Sequence, residues 1–465
     1  MKRKYNFFEI YNKIILILKE YCLNCSIAGF GYIANDRYHF TERIFWLICV
    51  IISSVGSYHL IQDYMQDFER QAVSLVIEDL QPREKSIFPS IGICERIKME
   101  TNAENAAKVF AEIRKNVKLR DFDDLEVENM EDFVMKLAFP TELHKNIIDS
   151  CCYSKDLFCP NSNYSYIMEH IPATCPELFM ECKWNKKKFN CCDYFYKMHT
   201  SMGKCFLLNS IQTTVQGKKN VLDLRVGLGM DDALMELKLH RGFFVFLLNE
   251  EDVPEGSLGF LKVPVESQTL LKLSLANIIN DEGVRDIPPA YRRCRFIDEN
   301  EPDSIFKYYS FTACVSNCFK RAQLNICNCT SYHYVPESFY DPKRPSCDLD
   351  GLKCIADNDL WLPTPKRLQP WNERTINCTC LPSCSENEIL IIETTVKPAT
   401  FRGCQVIVSL MNLPYERYRR QTVRGKLDIV VSIGGILGLF MGASIISGIE
   451  FIYYMITGFY QHFIK

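Results

Sequence analysis

An apolar run near the end of the chain constrains the fold more than any other feature. Residues 433–454 read IGGILGLFMGASIISGIEFIYY, long enough to cross the hydrocarbon core of a bilayer. A helix that only anchors a protein in lipid needs neither small residues nor a charge, yet this run contains Gly442-Ala443-Ser444 and Glu450. Small residues let backbones approach closely, and a carboxylate at membrane depth is costly unless it faces protein or water. The run therefore predicts the wall of a pore.

This second span is too long for one straight helix. A continuous helix over residues 427–457 would be about 46 Å long, against about 30 Å of hydrocarbon. A break at 442–444 absorbs the excess, and an extended tract there would turn carbonyl oxygens toward an ion path. The alternative is a packing notch of small residues between helices. Five positions at helical spacing form one stripe before the break: Asp428, Ser432, Gly435, Leu439 and Gly442.

Glu450 follows the break and has two interpretations. A ring of acids at the cytosolic mouth of a pore attracts cations. The same carboxylate could instead pair with a basic residue of the N-terminal segment.

Charges around the first apolar run predict the topology. Residues 44–61 are also long enough to span the membrane. The apolar patch at 14–18 is too short for a span and lacks a cleavage site, so we expect no cleaved signal peptide. We expect this patch to belong to an amphipathic cytosolic helix instead. Residues 1–43 carry seven Lys or Arg, whereas the twenty residues after the first span carry only Arg70. The positive-inside rule therefore places residues 1–43 and 458–465 in the cytosol and residues 62–426 outside.

Two further features bear on that orientation. Three glycosylation sequons agree with an exterior loop: Asn163, Asn328 and Asn377. A basic cluster at the outer end of the second span conflicts with it: Arg417, Arg419, Arg420, Arg424 and Lys426. We keep the orientation given by the first span, which usually dominates topology.

Cysteines are concentrated between the two spans. Of 23 cysteines, twenty lie between Cys94 and Cys404, which favours disulfides in an oxidising compartment. Zinc binding at the Cys327/Cys329 or Cys378/Cys380 pair is the alternative, although no histidine cluster accompanies them.

The long central region predicts an α+β extracellular domain. Alternating patterns predict strands at 221–226, 243–248, 390–395 and 405–410, and an extended segment at 88–94. Helices are predicted around 102–117 and 130–137. Seven acids among residues 121–132 are typical of solvated surface, with a cation sensor as the alternative.

Other function classes find little support. The net charge of −3 with scattered basic residues does not indicate a nucleic-acid partner. The sequence contains no HExxH, GxSxG or Walker A pattern and no histidine spacing typical of metal sites, so neither an enzyme nor a metal or other cofactor is predicted.

Several motifs together resemble the degenerin/epithelial sodium channel superfamily, most closely its insect pickpocket branch. FPSIGIC at 88–94 resembles the family's FPAVTIC motif, and CKWNKKKFNC at 182–191 followed by GKCFLLN at 203–209 is similar to a pickpocket block. Cysteine spacing at 314–329 and 378–384 matches the family's thumb. LPYERY at 413–418 resembles the strand before the second span, and GAS at 442–444 resembles the selectivity tract. The resemblance covers nearly the whole chain.

The resemblance implies a trimer whose exterior domain has palm, thumb, finger, knuckle and β-ball parts above a helical pore. It also implies seven disulfides: Cys94–Cys205, Cys182–Cys191, Cys294–Cys384, Cys314–Cys380, Cys318–Cys378, Cys327–Cys354 and Cys329–Cys347. Six further loop cysteines would suffice for three more bridges of open pairing: Cys151, Cys152, Cys159, Cys175, Cys192 and Cys404.

The implied function is a sodium-permeable, voltage-independent, amiloride-sensitive channel subunit of the plasma membrane, serving sensory or epithelial sodium transport. It would open through its exterior domain in response to an unidentified stimulus, as a homotrimer or with related subunits. Gly442, Ala443 and Ser444 would form the filter. The stripe positions and Glu450 would line the path, and four positions would take part in gating: Ala28, Gly29, Val431 and Tyr291.

Three departures from the family pattern leave alternatives open. Ala28 stands where pickpocket-like chains carry histidine, Ser432 where acid-sensing relatives carry an outer acid, and Tyr453 where they carry a second inner acid. Asp428, one turn outward, could substitute for the outer acid. The alternatives are a non-conducting accessory subunit and a two-span cysteine-rich receptor without its own pore. An ATP-gated two-span channel would need ligand clusters that this chain lacks.

Overall fold

The computed structural model describes most of the chain. It covers residues 7–79, 86–96, 99–115, 124–142, 164–212, 221–226, 233–256, 259–334, 346–358, 360, 378–411 and 416–461. They form two compact units. Unit 1 contains the N-terminal residues through Leu75, the segment Asp281–Arg292 and the residues from Arg420 onward. Unit 2 contains Val76–Asn280 and Arg293–Arg419. The predicted exterior region of 62–426 therefore contributes short segments to unit 1.

Helices account for nearly all of unit 1 and for several parts of unit 2. In chain order they are α1 Phe7–Asn24, α2 Phe30–Ala34, α3 Phe40–Arg70, α4 Met99–Lys115, α5 Asp124–Ala138, α6 Tyr164–His170, α7 Cys175–Leu178, α8 Cys191–Tyr194, α9 Glu282–Arg285, α10 Pro289–Arg292, α11 Phe311–Cys327, α12 Leu349–Asp357, α13 Lys426–Met441 and α14 Ile445–Phe459. Single 3-10 turns occur at Pro140–Glu142 and Tyr332–Tyr334.

The strands are β1 Val73–Asp79, β2 Ser86–Ile87, β3 Ser90–Glu95, β4 Phe179–Trp184, β5 Lys187–Phe189, β6 Phe195–Thr200, β7 Gly203–Leu208, β8 Arg225–Val226, β9 Leu234–Leu239, β10 Phe243–Leu248, β11 Leu261–Val263, β12 Ser267–Asn280, β13 Glu388–Pro398, β14 Cys404–Leu410 and β15 Glu416–Thr422. One sheet has the order β1-β15-β12-β14-β9-β4-β5, with β13 also paired to β12. A second sheet has the order β11-β10-β3-β7-β6. The α+β class predicted for this region is the one observed.

Distant parts of the chain meet within these sheets. β12 pairs with β13 in antiparallel and with β14 in parallel orientation, so one long strand joins segments more than a hundred residues apart. Apolar side chains of both sheets, such as Ile93, Val245 and Leu271, form one buried core. Burying apolar surface at about 25 cal/mol per Å² is the main stabilising term of such a core.

Most predicted elements of unit 2 form with shifted ends. The predictions at 243–248, 390–395 and 405–410 fall within β10, β13 and β14, and the helix predicted at 130–137 falls within α5. The helix predicted at 102–117 agrees with α4 up to Lys115, and its last two positions lie outside the described residues. The predicted strand at 221–226 is wrong over its first four residues, since only Arg225–Val226 pair with another strand. The Asn209 side chain bonds the backbone N–H and carbonyl of Leu222, which occupies groups that a strand ladder would use. Of the acidic run, residues 124–132 lie in α5.

The described residues of unit 2 form eight disulfides. The seven implied pairs are present, and Cys175–Cys192 is an eighth. Cys327, Cys329, Cys378 and Cys380 are all bridged, so the zinc alternative is wrong. Cys404 is a buried free thiol at the start of β14, so the prediction that it pairs is also wrong. Cys151, Cys152 and Cys159 lie outside the described residues, as do Asn163 and Asn377. Asn328 is exposed at the end of α11, with a left-handed φ of 56°.

Unit 1 contains the candidate membrane spans. α3 is long and apolar enough to cross a membrane, and the bent pair Leu427–Met441 and Ile445–Phe459 makes a second candidate. α3 has 31 residues and so extends beyond the predicted 44–61 at both ends. The short patch at 14–18 belongs to the 18-residue helix α1. Ile17 and Tyr21 of α1 are buried against α14, where the Tyr21 ring lies 5.2 Å from that of Phe451.

Candidate ion pore

The second candidate span is broken at the predicted position. α13 ends at Met441 and α14 begins at Ile445, with an angle of 72° between the two helices. Gly442 has φ 64° and ψ 16°, the left-handed conformation that glycine adopts without steric cost. Its N–H donates to the Gly438 carbonyl, and the Ala443 N–H donates to that of Leu437. The Gly442 bond is the single 5→1 bond of an αL motif, which commonly terminates a helix.

Ser444 begins the next helix rather than projecting freely. Its backbone is extended, with φ −126° and ψ 174°, and its Oγ accepts from the Ser447 N–H. The Ser444 N–H donates in return to the Ser447 Oγ at 3.0 Å. This reciprocal pair is a capping box, which satisfies donors that a helix start otherwise leaves unpaired. The sequence-based expectation of a fully extended tract is therefore wrong at Gly442, because a left-handed residue ends α13 there.

Two carbonyl oxygens are left at the break. Among the described residues, no protein donor bonds to the carbonyl oxygens of Gly442 and Ala443. The Ser444 carbonyl, by contrast, accepts from the Gly448 N–H, and that of Met441 accepts from Ala28. A carbonyl without a protein donor needs water or a cation as its partner. The break can therefore offer oxygen ligands to a passing ion.

The N-terminal segment contacts this break through its backbone. The Ala28 N–H donates to the Met441 carbonyl at 2.9 Å. The side chain at 28 lies close as well, since a Cβ built on Gly442 would be 3.7 Å from the Ala28 Cβ. Sequence positions more than 400 residues apart thus meet at the end of α13. The predicted gating tract and the predicted filter are brought together here.

Gly29 permits this close approach. Its φ is 93°, which L-residues rarely adopt, and a Cβ there would lie 2.6 Å from the Val50 Cγ2 on α3. A second tight glycine contact occurs at Gly56, where a Cβ would be 3.0 Å from the Phe440 ring. These two glycines let the N-terminal segment and α13 pack directly on α3.

Glu450 bonds to the backbone of the N-terminal segment, and no basic side chain among the described residues 7–43 forms an ion pair with it. Its Oε2 accepts from the Ser26 N–H at 3.0 Å, and the Ser26 and Ser447 hydroxyl oxygens are 2.6 Å apart. Sequence reasoning did not identify Ser26 or Ser447. Only the Ser-x-x-Ser spacing from Ser444 hinted at Ser447, as a capping-box pattern.

The predicted stripe on α13 faces away from α3. Asp428, Gly435 and Gly442 are exposed, Leu439 is 84% exposed, and Ser432 is half-buried. The neighbouring Phe440, on the opposite side, packs at Gly56 of α3. Asp428 also accepts from the Gly425 N–H at 2.8 Å, which caps the start of α13. The stripe is thus an open face, available to line a path or to meet another chain.

Tyr291 and Val431 occupy different environments near the outer end. The Tyr291 ring lies 5.7 Å from that of Phe68 on α3, beside a small buried cluster of Phe68, Ala72 and Ile287. Ile429 of α13 packs against the same cluster. Val431 is 64% exposed. Tyr291 therefore packs in a cluster that connects the segment Asp281–Arg292 with both candidate spans, whereas the exposed side chain of Val431 is not part of that cluster.

Much of the basic cluster before the second span has local partners. The Arg424 guanidinium lies 4.7 Å from the centre of the Tyr64 ring within unit 1. Within unit 2, Arg417 and Arg419 both pair with Glu78, at 3.2 and 2.9 Å. In the folded protein, a carboxylate and an aromatic ring therefore satisfy three members of this cluster.

Comparison with known proteins shows the family of the chain. The profile of the family described as amiloride-sensitive sodium channel matches residues 21–454. The chain belongs to that family. It is 21% identical to sodium channel protein Nach of Drosophila melanogaster, over 94% of this chain and 86% of that protein. It is 20% identical to pickpocket protein 19 of the same species, over 92% and 88%. Acid-sensing ion channel 1C of Danio rerio is 24% identical over 56% of this chain and 51% of its own length.

Family membership establishes the general class. The chain is a membrane protein of an ion channel family and is not an enzyme. It has a disulfide-rich α+β region between its two candidate spans, as predicted from the sequence. A solved proton-activated chloride channel aligns over 89% of this chain and 95% of its own, with a TM-score of 0.23 and 5% identity, too low to bear on the fold.

Proposed function

We propose that this chain is a pore-forming subunit of a trimeric, sodium-permeable, voltage-independent, amiloride-sensitive cation channel of the plasma membrane. Both termini would lie in the cytosol and unit 2 outside, divided into palm, thumb, finger, knuckle and β-ball parts. The observation that supports this most strongly is the break at Gly442–Ser444 with two carbonyl oxygens that lack protein donors. Three chains would place such oxygens around one axis, where they replace part of an ion's hydration shell.

The exposed stripe of α13 supports the same assembly. Asp428, Ser432, Gly435 and Leu439 would line the outer half of the path, and Glu450 the cytosolic mouth. Leu439 is 84% exposed on this stripe, and in the proposed trimer it would face the path. With Ser432 and Tyr453 in place of acids, few carboxylates flank the filter, so selectivity would rest mainly on its carbonyls.

Opening would begin in the exterior domain. Four of the disulfides involve cysteines of α11 or of the segment just after it, so this region moves as a stiff body. The chain passes through Asp281–Arg292 before it reaches α11, and Tyr291 in that segment contacts Phe68 of α3. A shift of that segment would alter α3 and α13, and with them the N-terminal contact at Met441.

An accessory role is the second candidate. One observation favours it: Ala28 offers the break a backbone N–H and a methyl group, without the polar side chain that the family pattern places there. A subunit of this kind would shape the pore of a heterotrimer without conducting alone.

Voltage clamp of cells expressing the chain tests these proposals. An amiloride-sensitive current that reverses at the sodium potential supports a pore-forming subunit. Ser444→Phe should change ion selectivity or abolish the current, whereas Val430→Phe, at an exposed position off the stripe, should not. Surface protein that gives no current alone but alters the current of a related subunit supports the accessory role. Surface protein without current in any combination would contradict both.

A further inference from the structure

One edge of the larger sheet carries a cluster of lysines. β4 and β5 form an antiparallel hairpin at that edge, and β9 pairs with the other side of β4. Five lysines against two glutamates leave a local excess of three positive charges, in a chain whose net charge is −3. We call the five lysines the lysine edge. The charged residues of these three strands and the hairpin turn are Lys183, Lys186, Lys187, Lys188, Lys238, Glu181 and Glu236.

One glutamate holds three of these lysines together. The Glu181 carboxylate pairs with Lys188, and it lies 3.4 Å from the Lys183 Nζ and 3.2 Å from the Lys238 Nζ. Lys183 and Lys188 are direct cross-strand partners, so their side chains leave the sheet on the same face. The three ammonium groups, that of Lys188 first, hold the pKa of Glu181 well below its usual range. Glu236, 3.9 Å from Lys183, is the second acid, so the carboxylates do not balance the ammonium groups here.

The tip of the hairpin presents three consecutive lysines. Lys186 and Lys187 are exposed, and the Lys188 side chain is 73% exposed. The two turn residues have left-handed backbones, with φ 48° at Asn185 and 66° at Lys186. A two-residue turn of this kind favours glycine at its second position. The turn geometry therefore gives no reason for a lysine at 186.

The hairpin holds these lysines on a stiff frame. The Cys182–Cys191 bridge closes the hairpin at its base. At the tip, the Asn185 N–H donates to the Leu234 carbonyl and the Asn185 Oδ1 accepts from the Leu234 N–H, both at 2.9 Å. These bonds fix the turn to β9. A backbone that is fixed in advance loses little conformational entropy when a ligand binds.

The surroundings of the lysine edge narrow down its partner. Lysines clustered in a short segment are typical of nucleic-acid or heparin sites. A single-stranded nucleic acid would also need open aromatic rings for base stacking. The Trp184 ring instead packs on Phe88 at 4.9 Å, and the Phe189 ring packs on Tyr194 at 5.5 Å. The disulfides of unit 2 indicate an oxidising compartment, and sulfated polysaccharides are the common polyanions outside the cell.

We propose that the lysine edge binds a sulfated polysaccharide of the cell surface or the extracellular matrix. The sulfates would contact Lys186, Lys187 and Lys188 at the tip, and the polymer would continue along Lys183 and Lys238. Binding itself requires only the folded unit 2. That unit 2 meets such a polymer rests on the proposed function, which places this unit outside the cell.

Binding to the purified full-length protein in detergent tests the proposal. The probes are a heparin oligosaccharide, the same oligosaccharide with its sulfates removed, and an oligothymidylate of equal charge. Calorimetry should show a heparin affinity that falls steeply as the salt concentration rises, because the ion pairs release bound counterions. The desulfated probe and the oligothymidylate should each bind at least about tenfold more weakly. Equal binding of either one would overturn the assignment to a sulfated polysaccharide.

A triple variant locates the site. Lys186→Gln, Lys187→Gln and Lys188→Gln together should weaken heparin binding at least about tenfold, because each exposed ion pair contributes about a few-fold. The matched control replaces three other exposed lysines of unit 2 by glutamine, so that the net charge changes equally: Lys108, Lys262 and Lys307. Parent-like affinity in the hairpin variant, or an equal loss in the control, would overturn the proposal.

Two further variants separate binding from folding. Lys186→Gly should weaken heparin binding while raising the unfolding temperature, since glycine adopts φ 66° without strain. Glu181→Gln should strengthen heparin binding about two- to fivefold, because it removes a carboxylate that repels the sulfates. Its control is Glu393→Gln on β13, which removes a carboxylate that pairs with Lys272 at 2.8 Å and should leave heparin affinity unchanged. A folded Glu181→Gln protein that binds heparin less tightly than the parent would contradict the proposal, whatever current the channel carries.

Discussion

Replacing Gly29 by alanine should release the N-terminal segment from the break in the second span. The new residue would have to hold φ 93°, and its Cβ would lie 2.6 Å from the Val50 Cγ2, about 1 Å inside normal carbon–carbon contact. A residue in such a backbone region costs about 1–3 kcal/mol, and an overlap in a packed interior costs about 1–3 kcal/mol more. A combined cost of about 3 kcal/mol lowers the ratio of docked to undocked N-terminal segment roughly a hundredfold.

Thiol labelling measures this release. Cys22 and Cys25 are partly buried free thiols on the same segment, so undocking should increase their rate of alkylation in the purified protein, and the current should change with it. Gly31→Ala is the control, because a Cβ there meets only the Cys22 carbonyl at 3.8 Å. Adding Val50→Ala to the Gly29 variant should remove the overlap but not the backbone strain, and so restore part of the docking. Parent-like labelling and current in Gly29→Ala would refute the reasoning.

Three further predictions concern other parts of the chain. Burial, with Asp252 nearby, raises the pKa of Glu251 to about 7, so the folded state keeps a proton that the unfolded state loses above about pH 4.5. The free energy of unfolding should therefore fall by about 3 kcal/mol between pH 4.5 and 7. Glu251→Gln should unfold at a higher temperature than the parent at pH 8 but not at pH 4.5. Burial raises the pKa of Cys404 to about 12, so iodoacetamide at pH 8 should modify it only in unfolded protein, and rapid modification of folded protein would contradict the structure. Ser447→Ala leaves the Ser444 cap of α14 but removes the hydroxyl that accepts from the Ser444 N–H, and should lower stability by about 1 kcal/mol in thermal unfolding; an unchanged midpoint would mean that this half of the capping box is dispensable.

The broken helix of the second candidate span could be predicted largely from local sequence. Its length exceeds a bilayer, and the small residues that break it are adjacent in the chain, so a helix interruption at Gly442–Ser444 followed from elementary geometry. The backbone conformation of the break could not be predicted in the same way. Whether a glycine becomes extended or left-handed depends on which carbonyls its neighbours must satisfy, and the sequence does not show those bonds.

Contacts between distant residues were the least predictable. Nothing in a single sequence indicates that the Ala28 N–H meets the Met441 carbonyl, or that Ser26 rather than a lysine meets Glu450. Cysteine pairing shows the same limit, because connectivity is combinatorial. The Cys175–Cys192 bridge and the free Cys404 depend on how α7, α8 and β14 are placed by the sheets. Likewise, the sequence does not show that the Asn209 side chain bonds the backbone of Leu222, in the part of the predicted strand at 221–226 that does not form.

The spans of the disulfides order the events of biosynthesis. Cys182 and Cys191 are nine positions apart, so at 5–20 residues per second both cysteines exist within about a second of each other. Cys94, by contrast, must wait for Cys205, and Cys294 for Cys384, separations of 111 and 90 residues. During that wait Cys294 could pair wrongly with Cys314, Cys318, Cys327 or Cys329, which all emerge before its partner. A newly made chain therefore depends on disulfide exchange by the cell's folding enzymes until almost the whole disulfide-rich region exists, and its yield should be sensitive to the redox state of the compartment that makes it.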